Sequence, residues 1–244
     1  MNRYFSLTRT HSYSLLFALP LLLLYEAGAV FIADPDGGGF RNAADVILRA
    51  VLIRSGVTTT LGVTLALVAI AATLIVLERR RSRVPLRLGP FLGMATESVL
   101  YAGLLGIVVG TATRFVVDGF APRLSVQTGF ASMSVTEGLV LSIGAGFYEE
   151  LLFRVILAGG LFAFFRWIGM TEWRSGGAAV VLSAILFSAF HYVGAYGDPF
   201  EIPSFLFRFF AGLAFSALFL LRGFGITAWT HALYDVFVIF ALNA

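Results

Sequence analysis

The chain has 244 residues, 59% of them hydrophobic and 13% charged, with a mean hydropathy of +0.90. Soluble domains carry about 25% charged residues, so a fold bathed in water on all sides is excluded, and an all-α polytopic membrane bundle forming a single domain over 1–244 is expected. The net charge of +3 rests on 17 arginines in short stretches between apolar runs, which is no footprint for nucleic acid, and the absence of cysteine excludes disulfides, thiolate nucleophiles and Cys-ligated zinc.

A helix needs ~20 apolar residues to cross a ~30 Å hydrocarbon core. Runs of that kind fall at 14–32, 58–77, 91–113, 134–168, 177–195, 203–221 and 224–242. The fourth is too long for one perpendicular helix, so it is either strongly tilted or broken near Gly159-Gly160, and the count is seven or eight segments. The first run has the look of a signal peptide, with Arg3 and Arg9 ahead of it and Ala27 and Ala29 at its end. It exceeds a typical signal core and carries Glu26, and reads as a retained helix.

The stretch "DPDGGG" reads as a turn before "FRNAADVILRAVLIR", where Arg41, Asp45 and Arg49 recur every four residues. That spacing gives a helix with one charged face, of the kind that lies in a membrane interface. Next, "ERRRSRVPLR" places five arginines across 79–87. By the positive-inside rule this loop and the N-terminus are cytoplasmic, as are 166–175 and Arg222, while "GAYGDPFEIP" faces outward. The expected location is the prokaryotic cytoplasmic membrane. Glu26, Glu97 and Arg208 read as structural charges, with Arg208 a partner for either acid; His11 reads as interfacial, and Gly106-x-x-x-Gly110 as a weak packing signal.

Three clusters remain. In "GFYEELLFR", Glu150 and Arg154 are four apart and share a helix face, whereas Glu149 points about a quarter-turn away and is left free. "FSAFH" sets Phe187 and His191 four apart, and "HALYD" does the same for His231 and Asp235. A central Arg or Asp burdens insertion by about 2.5 to 3.5 kcal/mol, so four unpaired charges cost roughly 10 kcal/mol. Singly, each cluster also fits a packing salt bridge or a histidine bridging two helices. Together, a carboxylate pair, a His and a His–Asp pair on three helices are what a water-activating hydrolytic site needs.

In this order the motifs resemble the CAAX-protease and bacteriocin-processing (CPBP, or Abi) intramembrane proteases. That family carries E-E-x-x-x-R, F-x-x-x-H and H-x-x-x-N or H-x-x-x-D on successive membrane helices. It includes the type II CAAX prenyl endopeptidases and the lysostaphin resistance protein A-like proteins. The similarity spans roughly 130–242. It implies an eight-helix fold around a water-accessible chamber and cleavage of a membrane-held peptide or lipidated protein; the expected reaction uses no cofactor, and no nucleic-acid partner is expected. By the resemblance Glu149 is the general base, His191 orients the water and His231 donates to the oxyanion, with Glu150, Arg154 and Phe187 in support. Asp235 is a permitted variant of the last position. An ionised Asp cannot donate to an oxyanion, so it is either protonated by burial or only orients His231, the second being the expected role. Two other readings stay open: a zinc protease using the same His and Glu side chains, and a non-catalytic scaffold or transporter.

Overall fold

The computed structural model describes residues 3–32, 41–56, 59–82, 84–118, 134–194 and 197–243. Among these residues there is helix and turn but no strand. In chain order the elements are α1 (Arg3–Thr8), α2 (His11–Phe31), α3 (Ala43–Arg54), α4 (Thr60–Ser82) and α5 (Leu88–Asp118). There follow α6 (Val135–Gly144), two π-helical stretches, π1 (Ala145–Glu149) and π2 (Leu151–Ala158), and then α7 (Gly159–Trp167), α8 (Glu172–Phe190), α9 (Ile202–Arg222) and α10 (Phe224–Asn243). Six of these helices, α2, α4, α5, α8, α9 and α10, are long and apolar enough to cross a membrane. The expected fourth span is continuously helical from 135 to 167.

That continuity removes one of the two alternatives for this run. Gly159-Gly160 does not break the helix; Gly159 sits at ordinary helical angles, because glycine lowers helix propensity by only about 1 kcal/mol. The irregularity lies one to three turns earlier, in the π turns around the charged residues. The α8 boundary also shifts: it runs five residues earlier than 177–195 at its start, and His191 is its C-cap. The "DPDGGG" stretch and Arg83 lie outside the described residues.

α10 is the central element, packed against α2, α5, α6, π1 and α9, while α8 pairs with α9 and α4 lies at the edge. α2 is built into the core through Ala18, Leu21, Leu22 and Tyr25, which pack with Phe147, Tyr148 and Ala228. Charged residues tie the helix ends. Glu78 of α4 accepts from the backbone N–H groups of His11 (2.9 Å) and Ser12 (2.6 Å), placing a carboxylate on the exposed N-terminal donors of α2. Arg222 pairs with Glu97 at 2.7 Å and donates to the Thr8 hydroxyl, joining α9, α5 and α1. Arg208 therefore partners neither acid; it pairs with Asp198 on the loop before α9.

The α3 helix is amphipathic in the inverse sense to the one its spacing implies. Asp45 and Arg49 are buried, while Val46, Ile47, Val51 and Ile53 are exposed. The charged face turns inward because Glu26 of α2 takes both Arg41 (3.3 Å) and Arg49, and Asp45 takes the same two arginines. Buried charges need partners, and here they find one another.

Gly146 lets π1 approach α10. A Cβ at this position would stand 2.5 Å from the Ala228 carbonyl oxygen and 2.8 Å from the Ala232 nitrogen, both fixed backbone. Gly146→Ala is therefore expected to lower thermal stability in detergent by about 1–3 kcal/mol. Gly160→Ala, which meets nothing within 4 Å, should match wild type or gain up to about 1 kcal/mol. Equal melting of the two variants would contradict the close approach.

Candidate active site

The two π stretches flank Glu150. A π turn closes i→i+5 and inserts an extra residue into the helical wheel, a distortion common at functional sites. Across it the two consecutive acids serve different neighbours. Glu150 turns toward α10: its Oε1 accepts from Nδ1 of His231 at 2.7 Å and lies 3.0 Å from Nη1 of Arg154. The pairing of Glu150 with Arg154 is the one expected from their spacing. It is a contact of charges rather than an aligned hydrogen bond, since among the described residues no guanidinium N–H of Arg154 has an acceptor in line. The guanidinium instead lies over the Phe187 ring at 4.4 Å and near Phe215 at 5.3 Å, positions in which a cation is drawn to the ring face.

Glu149 turns the other way. Its Oε1 accepts a 2.9 Å hydrogen bond from the Asn42 amide. Its buried Oε2 has no hydrogen-bond partner among the described residues. That oxygen stands 3.9 Å from Nε2 of His191 and 4.0 Å from Nε2 of His231. These gaps are too long for hydrogen bonds and are of the size one shared water bridges.

Both imidazoles are anchored through Nδ1. His191 folds back over the last turn of α8, where the Phe187 carbonyl lies 2.8 Å from Nδ1. A carbonyl only accepts, so Nδ1 carries the proton and Nε2 of the neutral ring is a bare acceptor. The ring of His231 stacks on Phe215, centroids 4.4 Å apart, with the edge of Phe187 at 6.1 Å. Folding the His191 ring back toward its own helix also resolves a difficulty of depth. His191 lies at the end of α8 and His231 in the first half of α10, yet both Nε2 atoms reach one carboxylate oxygen. His191 is about a quarter exposed at its side chain, which makes its edge the open side of the cluster.

Six residues named from the sequence thus gather in one place: Glu149, Glu150, Arg154, Phe187, His191 and His231. The seventh, Asp235, is there too but in another position than orienting His231 requires. Its Oδ2 lies 3.6 Å from Nε2, on the side facing Glu149; the short contact at Nδ1 belongs to Glu150. Sequence reasoning passed over Asn42, Phe215 and Tyr148, the last linking π1 to Glu26 at 2.9 Å. Asn42 carried a legible signal as a helix cap, being an Asn placed just before an apolar-periodic run. Nothing in the sequence ties it to Glu149, 107 positions away.

Fold and site together define an integral membrane protein with a buried carboxylate–imidazole centre. Residues 131–237 match the family model described as type II CAAX prenyl endopeptidase Rce1-like, and this part of the chain is an Rce1-like domain. The match takes in all three motifs. No curated protein and no solved structure matches the chain.

The two acids should respond differently to the same change. Glu150→Gln leaves the buried Arg154 without its counter-charge, and breaking such a pair costs about 3–5 kcal/mol. Glu149→Gln keeps an oxygen for the Asn42 amide and should melt within about 0.5 kcal/mol of wild type. Thermal unfolding of both variants in detergent checks this, and a stable Glu150→Gln protein would mean that Arg154 does not depend on the pair.

Proposed function

We propose that this chain is a metal-independent intramembrane endopeptidase in which Glu149 activates water for attack on a peptide bond. The observation that carries this reading is the unpartnered Oε2 of Glu149 facing two Nε2 atoms within a domain of a peptidase family. A water between Glu149 and His191 directs one proton to the Glu149 carboxylate and the other to the bare Nε2 of His191. As its oxygen adds to the scissile carbonyl carbon, Glu149 takes the first proton. The carbonyl oxygen becomes an oxyanion, which accepts from Nε2–H of His231. Glu149 then returns the proton to the departing amine nitrogen as the C–N bond breaks.

This scheme sets a condition on His231. Its Nδ1 proton is already committed to Glu150, so Nε2 donates only if the ring holds both protons. Carboxyl groups of Glu150, Glu149 and Asp235 surround the ring, and the proposed scheme assigns His231 a proton on each nitrogen. Asp235 then stands beside Nε2, and the anchoring is left to Glu150.

The substrate is proposed to be a membrane-held peptide or lipidated protein, of which a prenylated CAAX terminus is the form the family description names. A single domain over 1–244 is part of the proposal, and the contacts of α2 and α3 with the site support it. The basic stretch at the end of α4 favours a cytoplasmic N-terminus, and the proposed location is a prokaryotic cytoplasmic membrane. The alternative is zinc held by the same side chains. Carbonyl and carboxylate anchors at Nδ1 would serve zinc ligands equally well. Among the described residues, however, no three His, Asp or Glu side chains are gathered closely enough to hold a metal ion.

The test uses purified protein in micelles and a fluorescence-quenched peptide with a farnesylated CAAX terminus, beside an unprenylated leader-peptide reporter. Glu149→Gln should lower kcat by about 10²- to 10⁴-fold. Wild type should keep its activity through exhaustive chelation and contain far less than one zinc per chain. Loss on chelation that is restored by zinc, in step with one metal bound per chain, would transfer the reaction to the metal. Cleavage of neither reporter would remove the peptidase reading.

A further inference from the structure

The catalytic oxygen of Glu149 is selected by a residue outside the family-matched segment. We infer that Asn42 is a positioning residue that holds Oε1 and so presents Oε2 to the two histidines. This inference rests on the proposed role of Glu149 as base. The need for such a group is physical. The last torsion of a glutamate turns about an sp³–sp² bond, whose profile is broad and roughly two-fold. Rotamer preference alone therefore does not fix the plane of the carboxylate. Glu150 has Arg154 and His231 to orient it, whereas among the described residues Asn42 is the hydrogen-bond partner of Glu149.

The orientation of the Asn42 amide is unambiguous. Its Oδ1 accepts from the backbone N–H of Ala44 at 2.9 Å, a group that can only donate, and Nδ2 donates to the carboxylate, which can only accept. The amide cannot be flipped without losing both bonds. The backbone of Asn42 is held as well: its N–H donates to the Tyr25 hydroxyl at 2.9 Å, which in turn donates to Asp45 at 2.9 Å. Asn42 is buried, and its carrier, α3, is clamped to α2 by the pairs of Glu26 with Arg41 and Arg49 and by the Tyr25–Asp45 hydrogen bond, while Asp45 holds the same two arginines from α3 itself. The buried charges of the first half of the chain thus end in a single donor aimed at the base.

Asn42 has two roles here, N-cap of α3 and donor to Glu149, and they can be separated. Asp and Ser cap helices about as well as Asn, but neither supplies an amide N–H. Asn42→Asp sets a second carboxylate against Oε1; Asn42→Ser is too short to reach it and adds no charge. The experiment measures kcat, KM and melting for both variants and for Glu149→Gln, on the farnesylated CAAX reporter. The expected result for Asn42→Ser is wild-type melting, KM within about twofold, and kcat lower by about 10- to 100-fold, the scale on which small misplacements of reacting groups act. Asn42→Asp should lose at least as much. A kcat for Asn42→Ser within twofold of wild type, or a loss that only follows reduced melting, would make Asn42 a cap and nothing more. Should Glu149→Gln stay active, the base assignment falls whatever the Asn42 variants do. An inactive Glu149→Gln beside a fully active Asn42→Ser overturns the positioning role alone.

Discussion

Oε1 of Glu150 is shared by Nδ1 of His231 at 2.7 Å and by the guanidinium of Arg154 at 3.0 Å, and the rest of the site depends on that one oxygen. All three side chains are almost wholly buried. Taking an ion out of water costs several kcal/mol even after relaxation, so none of the three is tolerable alone. Glu150 meets the need of Arg154 from its own helix and the need of His231 from α10. It thereby pins the two helices at the level where Glu149 faces both histidines. Phe187 and Phe215 complete the arrangement: each touches both the guanidinium and the His231 ring, excluding water from the charges and leaving the ring little freedom to turn.

A second charged cluster, Glu26, Arg41, Asp45 and Arg49, performs the matching task on the other side of Glu149. It pulls a helix with an exposed apolar face onto the bundle by its polar face. In water such a helix would be inside out. Beside lipid the arrangement is sound, because the apolar face needs no protein cover and the charges do. Tyr148, directly before the base, donates to Glu26 and receives from Arg49. The cluster therefore grips both the donor Asn42 and the residue next to its target.

What the sequence made legible follows the helical period. The seven apolar runs correspond to helices in the structure, and the pairs four apart, Glu150 with Arg154 and His231 with Asp235, do face each other. Local spacing could not foretell which group completes each pair. Asp235 was the obvious support for His231 at four residues, yet Glu150, 81 positions away, takes Nδ1, because α10 lies against π1. Arg208 was assigned to Glu26 or Glu97 on polarity alone; the arginine lies beside Asp198, and each acid had a cation nearer its own end of the bundle. The π turns leave no composition signature in "GFYEELLFRVILA" either. They coincide with buried charge and with close packing at Gly146, which are tertiary facts.

The two histidines look alike in sequence and differ in what holds them. Each uses Nδ1 as an anchor and points Nε2 at the same oxygen of Glu149. The anchor of His191 is a carbonyl, a neutral acceptor that asks only for one proton and leaves a lone pair on the far nitrogen. The anchor of His231 is a carboxylate, with a second carboxyl group, Asp235, near Nε2; the proposed reaction needs this ring to carry a proton on both nitrogens. On the proposed reading that difference sorts the chemistry. The ring with a lone pair accepts a hydrogen bond from the water that Glu149 deprotonates, and the ring with a second proton faces the oxygen that becomes negative. Exchanging the anchors would place a donor beside the base and an acceptor beside the oxyanion, and the same three side chains at the same distances would no longer support hydrolysis.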